Sequence, residues 1–248
     1  MLYPKTPTVP APKCTDAAAI SSGAGTRAMR DENGKTVAAP AVSYGEWRRN
    51  LNVVERSEKN FEFSIGSPVT NLKYVNSTSF KRKFSRISDD QELNQLIYAR
   101  AKAAVIHQSG DYYEDLSLVS IVGKKVVGST SGIIRNETYY SQKLKDAIKE
   151  HPPYTLVSIH NHGTNIPPTG ADFVSAGSKK YAFGIVVCND GGVFYYSSAK
   201  ARPFLPTLFD ARVDKYCAAP YNMDKYKAMV RTLSEMEHDY GIEWREMV

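Results

Sequence analysis

Tyr154-Thr155-Leu156-Val157-Ser158-Ile159-His160-Asn161-His162-Gly163-Thr164-Asn165-Ile166-Pro167-Pro168-Thr169-Gly170-Ala171-Asp172 carries three signals in succession. Tyr154 to Ile159 reads as a β-strand. His160 and His162 follow at its end, and side chains at i and i+2 of a strand point the same way. Two imidazoles on one side of a strand end can grip one ion. Asp172 comes ten residues past His162 and three beyond Thr169. Thr169 is a natural N-cap, which puts Asp172 in the first turn of a short helix carrying Phe173 and Val174. Pro167 and Pro168 limit how the loop between can bend. A stiff loop that returns a carboxylate towards two imidazoles is what a three-ligand zinc site requires. The fourth position is left for water, which zinc acidifies towards neutrality.

The neighbouring segments supply the rest of a domain. Upstream, Leu93, Leu96, Ile97, Ala101, Ala104 and Val105 recur at helical spacing and predict a helix over about 89–107. Ser88 with Gln91 resembles its capping box, and Asp89, Asp90 and Glu92 suit the positive end of the helix dipole. Leu116 to Val122 alternates as a strand, Gly123-Lys124-Lys125 turns, and Val126-Val127-Gly128 starts the return strand. A helix over 139–150 stops at Pro152-Pro153. Downstream, Tyr181–Cys188 and Val193–Tyr196 flank the hairpin turn Asn189-Asp190-Gly191-Gly192. A last helix over 222–239 closes the chain. Two hairpins among helices give α+β class: a mixed sheet with antiparallel hairpins, flanked by helices.

The N-terminal third has a different character. Residues 1–43 hold Pro4, Pro7, Pro10 and Pro12, an Ala-rich run and few large apolar side chains, so they read as a poorly structured arm or linker. Residues 44–87 read as a basic connector. It has a short helix at 43–52 carrying Trp47, then an irregular stretch with one or two short strands. The expected catalytic domain spans 88–248. From Gly45 to Arg86 nine Lys/Arg face four Glu, most of the formal charge of +6. That segment is a solvated face, a docking site for acidic partners or a weak nucleic-acid footprint. With 42% apolar residues the chain can bury a core, and no run approaches the ~20 apolar residues of a membrane span. The N-terminus has no signal-peptide pattern. The three cysteines, at 14, 188 and 217, form neither a disulfide framework nor a CxxC zinc pair, so a metal site must use His and carboxylate.

Such a site needs a carboxylate that reaches the water without binding the metal. Glu114, in Gly110-Asp111-Tyr112-Tyr113-Glu114-Asp115-Leu116, sits at the mouth of the first strong strand, with Asp115 and Asp111 as rivals by spacing. This constellation resembles the JAMM (MPN+) zinc metalloprotease family: an upstream Glu, a strand, HxH, a short loop, then Ser/Thr-x-x-Asp. The resemblance covers about 89–200. It implies that His160, His162 and Asp172 hold Zn2+, that Glu114 acts on the water, and that Thr169, in place of the usual Ser, helps hold the tetrahedral intermediate. Gly163 stands where proline is usual, and the following loop is one residue shorter than usual. Ser158–Gly177, Gly110–Leu116 and Tyr240-Gly241-Ile242-Glu243 are also similar to a JAMM-like C-terminal domain of bacteriophage minor head, or head morphogenesis, proteins.

The resemblance implies zinc-dependent hydrolysis of a peptide or isopeptide bond, with a protein substrate, phage head or host, in the host cytoplasm or on a virion. The alternative is a structural or adaptor module of a phage head protein, stapled by zinc and docked through its basic segment. A fourth ligand, from His151 or Cys188, would favour that alternative, because structural zinc prefers four protein ligands. A nuclease would ordinarily recruit more carboxylates for two metals.

Overall fold

The computed structural model describes residues 66–133 and 135–248, together with the backbone of two strands nearer the N-terminus. The chain divides into two compact units, Met1–Glu58 and Lys59–Val248. In the first, β1 (Ala24–Arg30) pairs antiparallel with β2 (Thr36–Ser43), a hairpin within the stretch read as an arm. The helix expected at 43–52 lies outside the described residues.

The second unit is built on a six-stranded sheet. Its strands are β3 (Leu116–Ser120), β4 (Lys125–Thr130), β5 (Leu156–His162), β6 (Phe183–Cys188), β7 (Val193–Ser197) and β8 (Glu243–Glu246). They lie in the order β4-β3-β5-β6-β7-β8. Every neighbouring pair is antiparallel except β5 and β6, which are parallel and need a crossover helix between them. The class is α+β.

Helices cover both faces. Leu116, Leu118, Leu156, Val186 and Phe194 point to one face. There they meet Leu144 of α4 (Gln142–Glu150), Phe173 of the crossover helix α5 (Gly170–Lys179), Phe209 of α6 (Pro206–Cys217) and Leu233 of α7 (Lys225–Tyr240). Val119, Val157, Ile159, Ile185 and Val187 point to the other face. They pack under Ile97, Ala101 and Val105 of α3 (Gln91–His107) and the aromatic pair Phe80 and Phe84.

The expected central elements are all present, and the differences have local causes. Residues 72–84, expected to be irregular or briefly extended, form two helices, α1 (Leu72–Val75) and α2 (Thr78–Phe84). Asn71 and Ser77 cap them by accepting from Tyr74 N–H and Phe80 N–H. Val75, Phe80 and Phe84 then anchor both in the core under α3. The cap of α3 is Asp90, whose carboxylate accepts from Glu92 and Leu93 N–H, not Ser88. Ser88 bonds Asn94 instead and ties down the approach to the helix. The last helix does not close the chain. Gly241 ends α7 at φ 72°, in the left-handed region that suits glycine, and the chain returns as β8 beside β7. Among the described residues no helix is long and apolar enough to cross a membrane.

Candidate metal centre

The alternation of β5 sets the site. Leu156, Ser158, His160 and His162 share the face covered by α5, and both imidazoles are buried. Their Nε2 atoms stand 3.2 Å apart. His162 Nδ1 lies 2.9 Å from the Ile166 carbonyl oxygen. A carbonyl only accepts, so Nδ1 carries the hydrogen and Nε2 presents a lone pair. Burial, with the repulsion of His160 and against the attraction of Asp172, pulls the His162 pKa down to about 4. The ring is therefore neutral, the form that binds metals.

The loop after His162 delivers the third group. Thr169 is the N-cap of α5, and Asp172 falls in its first turn. Asp172 Oδ1 lies 3.1 Å from His160 Nε2, and Oδ2 lies 3.6 Å from His162 Nε2. Oδ2 also accepts from the Thr169 N–H at 2.7 Å and from the Thr169 hydroxyl at 2.9 Å. The Thr169 hydroxyl is thus turned onto Asp172. Burial alone would raise the Asp172 pKa. The His160 ring, then His162 and the Thr169 N–H, more than offset this and hold the carboxyl well below the usual range.

Glu114 completes the cluster. Leu116 sits opposite His160 in the β3–β5 register, so Glu114, two residues earlier, lies on the same face just past the end of the strand. Its carboxylate offers an oxygen within 4.8 Å of the ligand atoms of His160 and His162. Burial first, then the negative charges of Asp172 and Glu137, hold the Glu114 carboxyl well above its ordinary value. The two rivals are engaged elsewhere. Asp115 receives hydrogen bonds from His107 and Gln108 on the α3 side, and Asp111 accepts from the Tyr112 N–H. His151 bonds the Ala147 carbonyl at the end of α4, and the Cys188 thiol donates to the Ile166 carbonyl. Neither joins the donor cluster.

Two supports were not anticipated. Asn161, fully buried between the histidines, points to the opposite face. Its Oδ1 accepts from the Asp115 N–H at 2.7 Å, and its Nδ2 donates to the Tyr113 carbonyl at 3.1 Å. A side-chain amide thereby continues the ladder where β3 has ended and brackets Glu114 on both sides. Tyr196 forms part of the floor, with its hydroxyl 3.1 Å from Ser158 Oγ and its ring edge-on to His160 at 6.1 Å. Sequence gives little warning of either. A buried Asn inside an otherwise apolar strand face is the one available cue. Gly163 also acquires a reason. A Cβ there would come within 2.9 Å of the Asp111 carbonyl oxygen and 3.1 Å of Tyr112 Cα, so the loop that carries Glu114 rests directly on the glycine.

The buried Glu114–His160–His162 cluster could coordinate a metal ion, and with its mixed sheet it is consistent with a metal site of the JAMM/MPN type. No protein-family model, curated protein or solved structure matches the chain.

Proposed function

We propose that this protein is a zinc metallohydrolase that cleaves a peptide or isopeptide bond, as the JAMM family does. The observation that carries the reading is the spacing of His160, His162 and Asp172. Zinc at about 2.0–2.1 Å from tetrahedral N and O donors requires donor–donor separations of roughly 3.3–3.4 Å. The two Nε2 atoms stand 3.2 Å apart, and Asp172 sets Oδ1 3.1 Å from His160 Nε2 and Oδ2 3.6 Å from His162 Nε2, so its carboxylate lies close to that spacing from both rings.

When bound, zinc would polarise the substrate carbonyl and acidify a water. The protein groups have their own tasks. His162 Nε2 stays a lone-pair donor because Ile166 occupies Nδ1. Asp172 keeps its position through the two hydrogen bonds from Thr169. Glu114, with its raised proton affinity, accepts a proton from the attacking water at its carboxylate and returns it to the nitrogen of the leaving amine. Thr169 Oγ1 would donate to the developing oxyanion only by rotating away from Asp172.

One observation favours a second reading. Glu114, His160 and His162 are all at most 5% exposed, and Glu114 is itself within ligand range. With Glu114 as a fourth ligand the site would be a closed structural staple. Glu114→Gln separates the two readings. As a hydrolase, this variant keeps one zinc per chain by elemental analysis and loses roughly 100- to 10,000-fold in turnover of a peptide or isopeptide substrate. As a staple, it loses zinc as His160→Ala does. A wild-type protein that purifies without zinc and takes up none would end both.

A further inference from the structure

The sheet face opposite the candidate metal centre is largely apolar, and at one end it turns polar. There α3 and the β3–β4 hairpin enclose a cleft of about 420 Å³. Arg100, Ala103 and His107 form one wall, a stripe at i, i+3 and i+7 along α3. Ala103 between the two larger side chains leaves the middle open. Hydroxyls form the facing wall: Ser117 of β3, Ser129 and Thr130 of β4, and Ser131 just beyond it.

Arg100 is held in a defined pose. Its Nε–H donates to Ser117 Oγ at 3.1 Å, and Ser117 is buried. Arg100 makes no other hydrogen bond or ion pair among the described residues, so its terminal N–H fork is available to the cleft. Asp115, the one carboxylate in the lining, is already engaged. Its Oδ2 pairs with His107 Nδ1 at 2.8 Å, and its Oδ1 accepts from Gln108 Nε2 at 2.6 Å. What the cleft offers a ligand is an anchored guanidinium and several hydroxyls.

We propose that this cleft binds the phosphate group of a small phosphomonoester with a hydroxyl-bearing body. A tetrahedral oxyanion accepts hydrogen bonds from several directions at once, as a fork on one side and hydroxyls on the other supply them. The volume exceeds that of a phosphate alone and leaves room for a body of sugar size. That body lies along Ser129–Ser131, where hydroxyl–hydroxyl bonds can form. Asp115 keeps its two internal partners at the edge of the cleft and takes no part in the binding. The binding itself does not depend on any metal.

The test is an NMR titration of the full chain with ribose 5-phosphate, with ribose and inorganic phosphate as controls. The amides of residues 129–131 should shift saturably with ribose 5-phosphate, more weakly with inorganic phosphate, and not with ribose. Arg100→Gln should weaken binding about tenfold or more, and Ser117→Ala, which frees the guanidinium from its anchor and removes one wall hydroxyl, several-fold. The result should be the same in chelator-treated and zinc-loaded protein. Unmoved 129–131 amides, or equal affinity in folded Arg100→Gln and Ser117→Ala, would overturn the proposal. Equal affinity for inorganic phosphate would overturn the assignment to an ester.

Discussion

The two faces of β5 differ in what their residues are for. Val157 and Ile159 face α3 and sit in an apolar layer with Phe80 and Phe84, whereas Ser158, His160 and His162 face α5 and end in polar atoms, those of the two histidines aimed at one another. The same strand thus carries core packing on one side and candidate metal donors on the other, and the alternation of the backbone keeps them apart. Neighbouring substitutions should therefore fail in different ways.

The widest contrast is between residues 159 and 160. Ile159→Ala should destabilise the fold by about 2–5 kcal/mol, read by urea unfolding, and still bind one zinc per folded chain. His160→Ala should lose the zinc and keep the fold of the metal-free protein. If Ile159→Ala lost zinc while still folded, the separation of the faces would be wrong.

The pH dependence of the metal-free protein sharpens the polar face. The unfolded chain protonates His162 near its ordinary 6.5, while burial holds off protonation in the fold until about 4. Between those values the unfolded state binds more protons, so stability falls as pH drops, by up to about 3 kcal/mol. Glu114 acts with the opposite sign, because its carboxyl is raised in the fold. The slope is therefore read in Glu114→Gln, by urea unfolding of chelator-treated protein. Adding His162→Gln should flatten it.

Asn161 is the polar exception on the α3 side of β5, and it yields the next effect. Asn161→Ala removes both bonds of the bracket and leaves the Asp115 N–H without its acceptor, at about 1–3 kcal/mol of stability. Zinc content should persist and turnover fall, since Glu114 rather than a ligand is released. Smallest is Thr169→Val, which keeps the backbone bond to Asp172 and removes only the hydroxyl. Zinc affinity, measured by competition with a chelator, should weaken about tenfold.

The same contrast explains what was legible in the sequence. The histidines and Asp172 could be read because periodicity and a cap place them relative to one another within one short segment. Glu114 could be nominated but not distinguished from Asp111 and Asp115. The choice depends on strand register, and register is a tertiary fact. Asn161 and Tyr196 act through partners distant in sequence. The helices at 72–84 were hidden by their brevity, since only burial of Phe80 and Phe84 under α3 stabilises them. β8 is a four-residue edge strand, Glu-Trp-Arg-Glu, with no apolar alternation to reveal it.

Because both imidazoles, the loop and the aspartate follow one another without interruption, the chelating pocket is a local object in the chain. Glu114, by contrast, arrives at the head of a strand that must be zipped alongside. An ion could therefore be captured while β3 is still unpaired, when a scissile bond could not yet be attacked. Under the proposed function, full assembly of the sheet would be the step that arms the site.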